Sequence, residues 1–142
     1  MKLFRSPSPD SVSTGLAVLR IGAGVVFLNH GYQKMFVFGF SGVTDAFTHM
    51  GVPLPGVIGP LIELLEVFGA VALIFGFLTR PLALAFVCDM LGAILLVRLK
   101  DGFSKYELEF MLLTASAALF FTGAGRFSID SLIAGRTEGT TQ

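Results

Sequence analysis

The stretch Gly56–Leu78, GVIGPLIELLEVFGAVALIFGFL, is long and apolar enough to cross a bilayer, yet it holds Glu63 and Glu66 one helical turn apart. Its core can be taken as 59–78. The twelve Leu, Ile, Val and Phe residues there contribute roughly −0.3 to −0.6 kcal/mol each to insertion, against about +2.5 to +3.5 for a central acidic residue. With both carboxylates alone at mid-membrane the sum is near zero. At ~1.5 Å per residue Glu63 lies about 5 Å from the helix start and Glu66 about 9 Å, off centre and open to partners.

Composition supports a membrane class. Hydrophobic residues make up 54% of the 142-residue chain, and mean hydropathy is +0.79, too little polar surface for a soluble domain. Net charge is zero, so no basic field exists for nucleic acid. Cys88 is the single cysteine, which excludes an intrachain disulfide and a CxxC pair. His30 and His49 have no metal-type spacing, and no metal site is expected.

Apolar segments at about 14–32, 59–78, 82–99 and 105–122 predict an all-α integral membrane four-helix bundle. Residues 1–13 read as a disordered lead, 14–123 as the membrane domain and 124–142 as a fraying tail. After Phe27–Leu28 stands Asn-His-Gly-Tyr-Gln-Lys rather than a small-x-small cleavage site, so the first span reads as an uncleaved anchor. Between spans 1 and 2, Val43, Ala46, Phe47 and Met50 at i, i+3, i+4, i+7 predict a short amphipathic helix, with Ser41 as N-cap, at the interface or folded over the bundle mouth. Pro60 is placed in the first turn of span 2, Thr79-Arg80-Pro81 in a tight turn, and Ser104-x-x-Glu107 in a capping box. Four spans put both termini on one side, with six Lys/Arg against four on the other, which predicts cytoplasmic termini.

Helical spacing sorts the polar residues onto stripes. Arg20, Gly24, Phe27, Gly31 and Lys34 share one on span 1, with His30 beside it. Glu63 and Glu66 lie on that of span 2, Asp89 and Gly92 on span 3 with Cys88 adjacent, Glu109 and Ser116 on span 4. Under this topology His30, Lys34, Glu63, Glu66, Asp89, Arg98 and Glu109 converge in the outer half of the membrane, roofed by the amphipathic segment. Intramembrane charges also pair simply to fix helix order, and Arg20 and Arg98 can snorkel from helix ends. Cys88 reads as a small packing residue, His49 as a solvated interfacial one. Asp89, nearest mid-membrane, has the least access to water.

Leu19-Arg20-Ile21, Asn29-His30-Gly31-Tyr32-Gln33-Lys34, Glu63-x-x-Glu66-x-x-Gly69 and Thr79-Arg80-Pro81, in this order over roughly 15–132, resemble the DoxX family of small four-helix bacterial inner-membrane proteins. The resemblance implies a membrane redox subunit working near quinone, with a partner redox protein or a homodimer. It carries to Arg20, His30, Lys34, Glu63, Glu66 and Arg80. Asp89 and Glu109 stand on their stripes alone.

The first functional reading is a quinone-linked oxidoreductase subunit, with Glu66 as proton group, His30 as quinone ligand or relay, and Lys34, Glu63, Asp89 and Glu109 as the ligand-binding set. Arg20, Arg80 and Arg98 are then a structural charge network. No flavin, haem or metal motif is present. A binding or transport protein for a small polar solute, and a non-catalytic scaffold for a membrane complex, are the alternatives.

Overall fold

The computed structural model of the chain describes residues 6–138. Every regular element among them is helical. Helix α1 (Pro9–Tyr32) runs through a π turn (Gln33–Phe38) to the short α2 (Gly39–His49). A second rod comprises α3 (Pro55–Leu64), a π turn (Leu65–Gly69) and α4 (Ala70–Phe75). The third is α5 (Thr79–Gly92) with a π turn (Ala93–Arg98) and a 3₁₀ turn (Leu99–Asp101). A second 3₁₀ turn (Phe103–Lys105) leads to α6 (Glu107–Thr122), and α7 (Ile129–Glu138) follows. Among the described residues three helical stretches, Pro9–His49, Pro55–Phe75 and Thr79–Asp101, are long and apolar enough to cross a membrane. The 16 residues of α6 reach about 24 Å at ~1.5 Å each.

Several boundaries differ from the sequence expectation. The lead expected over 1–13 is helical from Pro9, because Ser8 Oγ accepts from the Ser11 N–H at 3.2 Å and Pro9 fits the first helical position. Residues 1–5 lie outside the described residues. Pro60 is interior, since the helix already starts at Pro55. The turn between the second and third rods is made by Gly76 (φ +69°) and Leu78 (φ +50°), not by Thr79-Arg80-Pro81, which are the first turn of α5. Pro81 is tolerated there because the first helical N–H groups have no intrahelical partner. Ser104 sits in a 3₁₀ turn and caps nothing, so the capping box is not formed. Ser41 lies inside α2, whose start is flanked by Phe38.

The described part of the tail, 124–138, folds back onto the bundle. Asp130 accepts the Leu78 and Thr79 N–H groups at 2.8 and 2.9 Å, and its own N–H donates to the Gly76 carbonyl at 2.9 Å. A carboxylate far along the chain therefore caps α5 and steadies the left-handed Leu78, a backbone conformation costing a β-carbon-bearing residue about 1–2 kcal/mol. Arg20, 4% exposed, donates to the Phe127 carbonyl, and Arg126 pairs with Asp10. Residues 139–142 lie outside the described residues. Asp130→Ala is expected to cost about 1–3 kcal/mol, measured as loss of helical circular dichroism against added dodecyl sulfate.

Apolar side chains fill the core and also cover the outer surface. The buried core is Phe27 stacked on Phe86 (centroids 3.9 Å apart, planes 20°) with Leu73, Leu119, Ala70 and Ala83. Val18, Val25, Phe36, Phe68, Phe75 and Phe121 are exposed. Such an outer surface suits acyl chains, which are as apolar as the side chains they touch. Helix α1 packs on α4 and the Leu65–Gly69 turn, α5 packs on α6, and α1 also meets α6. These contacts hold the far end of α1 against the middle of the second rod, where the polar residues lie.

Candidate functional site

His30, near the end of α1, and Lys34, in the π turn that follows it, are four residues apart and line one cavity with Glu66 of the Leu65–Gly69 turn. Lys34 Nζ donates to Glu66 Oε1 at 2.7 Å and lies 2.6 Å from Oε2 as an ion pair without hydrogen-bonding geometry. Ionised donor and acceptor at this separation make a strong hydrogen bond. Glu66 is 2% exposed and Lys34 26%. The approach needs Gly31: a β-carbon there would stand 2.7 Å from the Glu66 carbonyl carbon.

Glu63, one turn earlier, is fully buried, and neither of its carboxylate oxygens has a hydrogen-bond partner among the described residues. Lys34 and Glu66 are both within its electrostatic reach. Asp89 of α5 faces Glu66 and Lys34 from the other side. It is 9% exposed; its Oδ2 has no donor among the described residues, and its carboxyl lies within hydrogen-bonding reach of the Glu66 carboxyl. Buried polar oxygens are ordinarily satisfied, so these orphan atoms mark a place where a proton, a water or a ligand belongs.

A cavity of about 580 Å³ opens on this cluster, within the roughly 300–1,000 Å³ usual for small-molecule sites. His30, Lys34, Glu66, Asp89, Arg98 and Glu109 all line it. Phe47, Met50, Val52 and Pro53, from α2 and the segment after it, form one end, and Phe27 and Met90 contribute at depth. At the rim Arg98 Nε stands 3.8 Å from Glu109 Oε1, with side chains 46% and 21% exposed. A pair so long and so open contributes little. Glu109→Gln is expected to shift stability by only about 0–1 kcal/mol in the same dodecyl sulfate titration.

Six residues expected at one polar site thus share one cavity, and Glu63 is buried behind Glu66 without lining it. Arg20, Arg80 and Arg98 do not form one network. Arg20 holds Phe127, Arg80 donates to the Phe121 carbonyl at 3.3 Å, and Arg98 stands at the cavity rim. Cys88 is not a packed core residue: it is exposed and lines the cavity next to Asp89. Its position beside the Asp89 stripe was the available signal. Asp130 was missed altogether, since one carboxylate in a polar tail carries no periodic signal.

The DoxX family model matches residues 15–99. The chain is 32% identical over 124 residues to "Putative oxidoreductase CatD" of Bacillus subtilis, covering 87% of this chain and 90% of that protein. It is 37% identical over 123 residues to "Inner membrane protein YqjF" of Escherichia coli, covering 84% and 92%. A third relative, "Uncharacterized membrane protein Rv3486" of Mycobacterium tuberculosis, is 28% identical over 95% of this chain and 88% of its own. No solved structure matches. A family model spanning more than half of the residues, with relatives above 30% identity along nearly their whole length, places the chain in the DoxX family.

Proposed function

We propose that this chain is a subunit of a bacterial inner-membrane redox system and that its cavity receives the head of a quinone. The observation that carries the reading is the buried Asp89 carboxyl, its Oδ2 without a donor, beside the Lys34–Glu66 pair at an apolar cavity. A quinone carries two carbonyl acceptors on an apolar ring. His30 and Lys34 are the donors that would hold such carbonyls, and Phe27, Met90 and Leu112 supply apolar surface for the ring. When bound, the quinone would supply two-electron, two-proton redox chemistry. The chain's own part is to bind the head, exclude water and hold protons. Three carboxyls, Glu63, Glu66 and Asp89, stand against one ammonium, so the cluster can exchange a proton at Glu66 or Asp89 without leaving Lys34 unbalanced.

In this reading α6 is the fourth span, both termini face the cytoplasm, and α2 lies across the far mouth of the bundle in contact with the bilayer interface. The names "Putative oxidoreductase CatD" and "Inner membrane protein YqjF" support it. With one cysteine and no flavin or haem motif, the electrons come from a partner protein, or the unit is a homodimer alongside one.

Gentle purification from membranes, followed by an ultraviolet–visible spectrum and mass spectrometry of extracted small molecules, tests this. A quinone at stoichiometric amount is the expected result. A protein that holds none, and fails to bind added decyl-tailed quinone, overturns it; co-purification of a neighbour by that empty protein would then favour a scaffold.

A further inference from the structure

The second and third rods meet near their connecting turn and then part. A β-carbon on Gly69 would stand 3.4 Å from Leu82 Cδ2 and 3.5 Å from Phe86 Cζ, so the rods touch there. Further along, α3 makes no extended contact with α5, whereas α5 and α6 stay packed together. The cavity fills the separation. Leu61 of α3 lines one edge and Leu96 of the Ala93–Arg98 π turn the other, 57% and 52% exposed on the apolar outer surface. The same cavity reaches the Asp89 carboxyl, 9% exposed, beside Glu66 and with no donor to its Oδ2 among the described residues. Gly92 also lines it, and a β-carbon added there would meet nothing within 4 Å.

We propose that this separation is a lateral portal through which the cavity takes an amphiphile, one hydrogen-bonding head on one apolar tail, directly from the bilayer. The head lies against Asp89, Glu66 and Lys34, and the tail leaves between Leu61 and Leu96. This deepens the reading above and rests on it only for the identity of the head. Leu61 and Leu96 offer a water-soluble polar solute no partners. A tail already dissolved in acyl chains passes between them with no water to shed, because lipid and leucine are equally apolar. Gly92 is the residue that keeps the passage open, since any larger side chain there projects into unfilled space.

The test uses the full chain in phosphatidylcholine vesicles with a hexadecanol carrying a mid-chain diazirine. After illumination, adducts are mapped by mass spectrometry. Adducts should concentrate near Leu61 and Leu96 over the lipid-facing Val25 and Phe121, and excess decyl-tailed quinone should compete with them. Gly92→Phe should lower portal adducts about tenfold and leave those at Val25 and Phe121 unchanged, while Gly92→Ala keeps them. Should Gly92→Phe fail to fold, as judged by helical circular dichroism, Ala93→Leu on the same wall serves in its place. Adducts spread evenly over all lipid-facing helices, or untouched by a folded plugging variant, overturn the portal even if quinone binds. Portal labelling that the plug abolishes but quinone does not compete with leaves the portal standing and removes the quinone.

Discussion

Lys34→Met is expected to lower stability in mild detergent by about 3 kcal/mol, the cost of leaving a buried carboxylate without its cation. Glu66 is 2% exposed, and Lys34 Nζ lies 2.6–2.7 Å from both of its oxygens. Glu63 and Asp89 are further carboxyls nearby and offer no replacement cation. Methionine keeps the unbranched apolar stem and removes the charged donor that Glu66 accepts from. The reverse change, Glu66→Gln, should be milder, about 1 kcal/mol, because Lys34 is a quarter exposed and can swing its head to the rim. It should nevertheless weaken decyl-tailed quinone binding by about tenfold or more in a protein that stays folded. The double variant should recover about 2 kcal/mol of the sum of the two losses, the mark of a directly coupled pair. The chain contains no tryptophan, so helical circular dichroism against dodecyl sulfate is the suitable readout. Strictly additive losses would show that the two groups do not act as a pair.

The convergence of His30, Lys34, Glu66, Asp89, Arg98 and Glu109 was legible because each sits on an apolar helix where one polar stripe can point only inward. The phase along that stripe was less legible. Lys34, Glu66 and Arg98 each lie in a π turn. A π turn inserts an extra residue per turn, so a 3.6-residue projection drifts across it. Glu63 and Glu66 fall on one projected stripe, yet only Glu66 reaches the cavity, and the turn that begins at Leu65 separates them. All three π turns border the same cavity, in keeping with the frequency of such turns at functional sites. The docking of the tail was not legible, because Asp130 acts on backbone N–H groups some fifty residues away and no local pattern marks that pairing.

Gly31→Ala is expected to damage both fold and site. Its β-carbon would stand 2.7 Å from the Glu66 carbonyl carbon, 2.8 Å from Glu66 Cβ and 2.9 Å from Val67 Cγ2. Two of the three clashes involve backbone or the atom fixed to it, so no side-chain rotation relieves them, and α1 must move off the Leu65–Gly69 turn. Overpacking of this kind costs roughly 1–3 kcal/mol, and the cost lies towards the upper end where backbone is the obstacle. A shift of a few tenths of an ångström also stretches the Lys34–Glu66 contacts, so quinone binding should fall with stability. Two glycines on the same helix calibrate the effect. A β-carbon on Gly24 would meet Ile74 Cγ1 at 2.5 Å and the Ala70 carbonyl oxygen at 3.1 Å. Because Ile74 can change rotamer, Gly24→Ala should cost less. Gly22 faces open space, and Gly22→Ala should be neutral or stabilising by about 0.5–1 kcal/mol through the helix propensity of alanine. The order Gly31, Gly24, Gly22 in decreasing loss, read by dodecyl sulfate unfolding, locates the close approach of α1 at Glu66. Equal effects at all three positions, each neutral or slightly stabilising, would instead mean that helix propensity governs this surface, and that Glu66 is not held by the approach of α1.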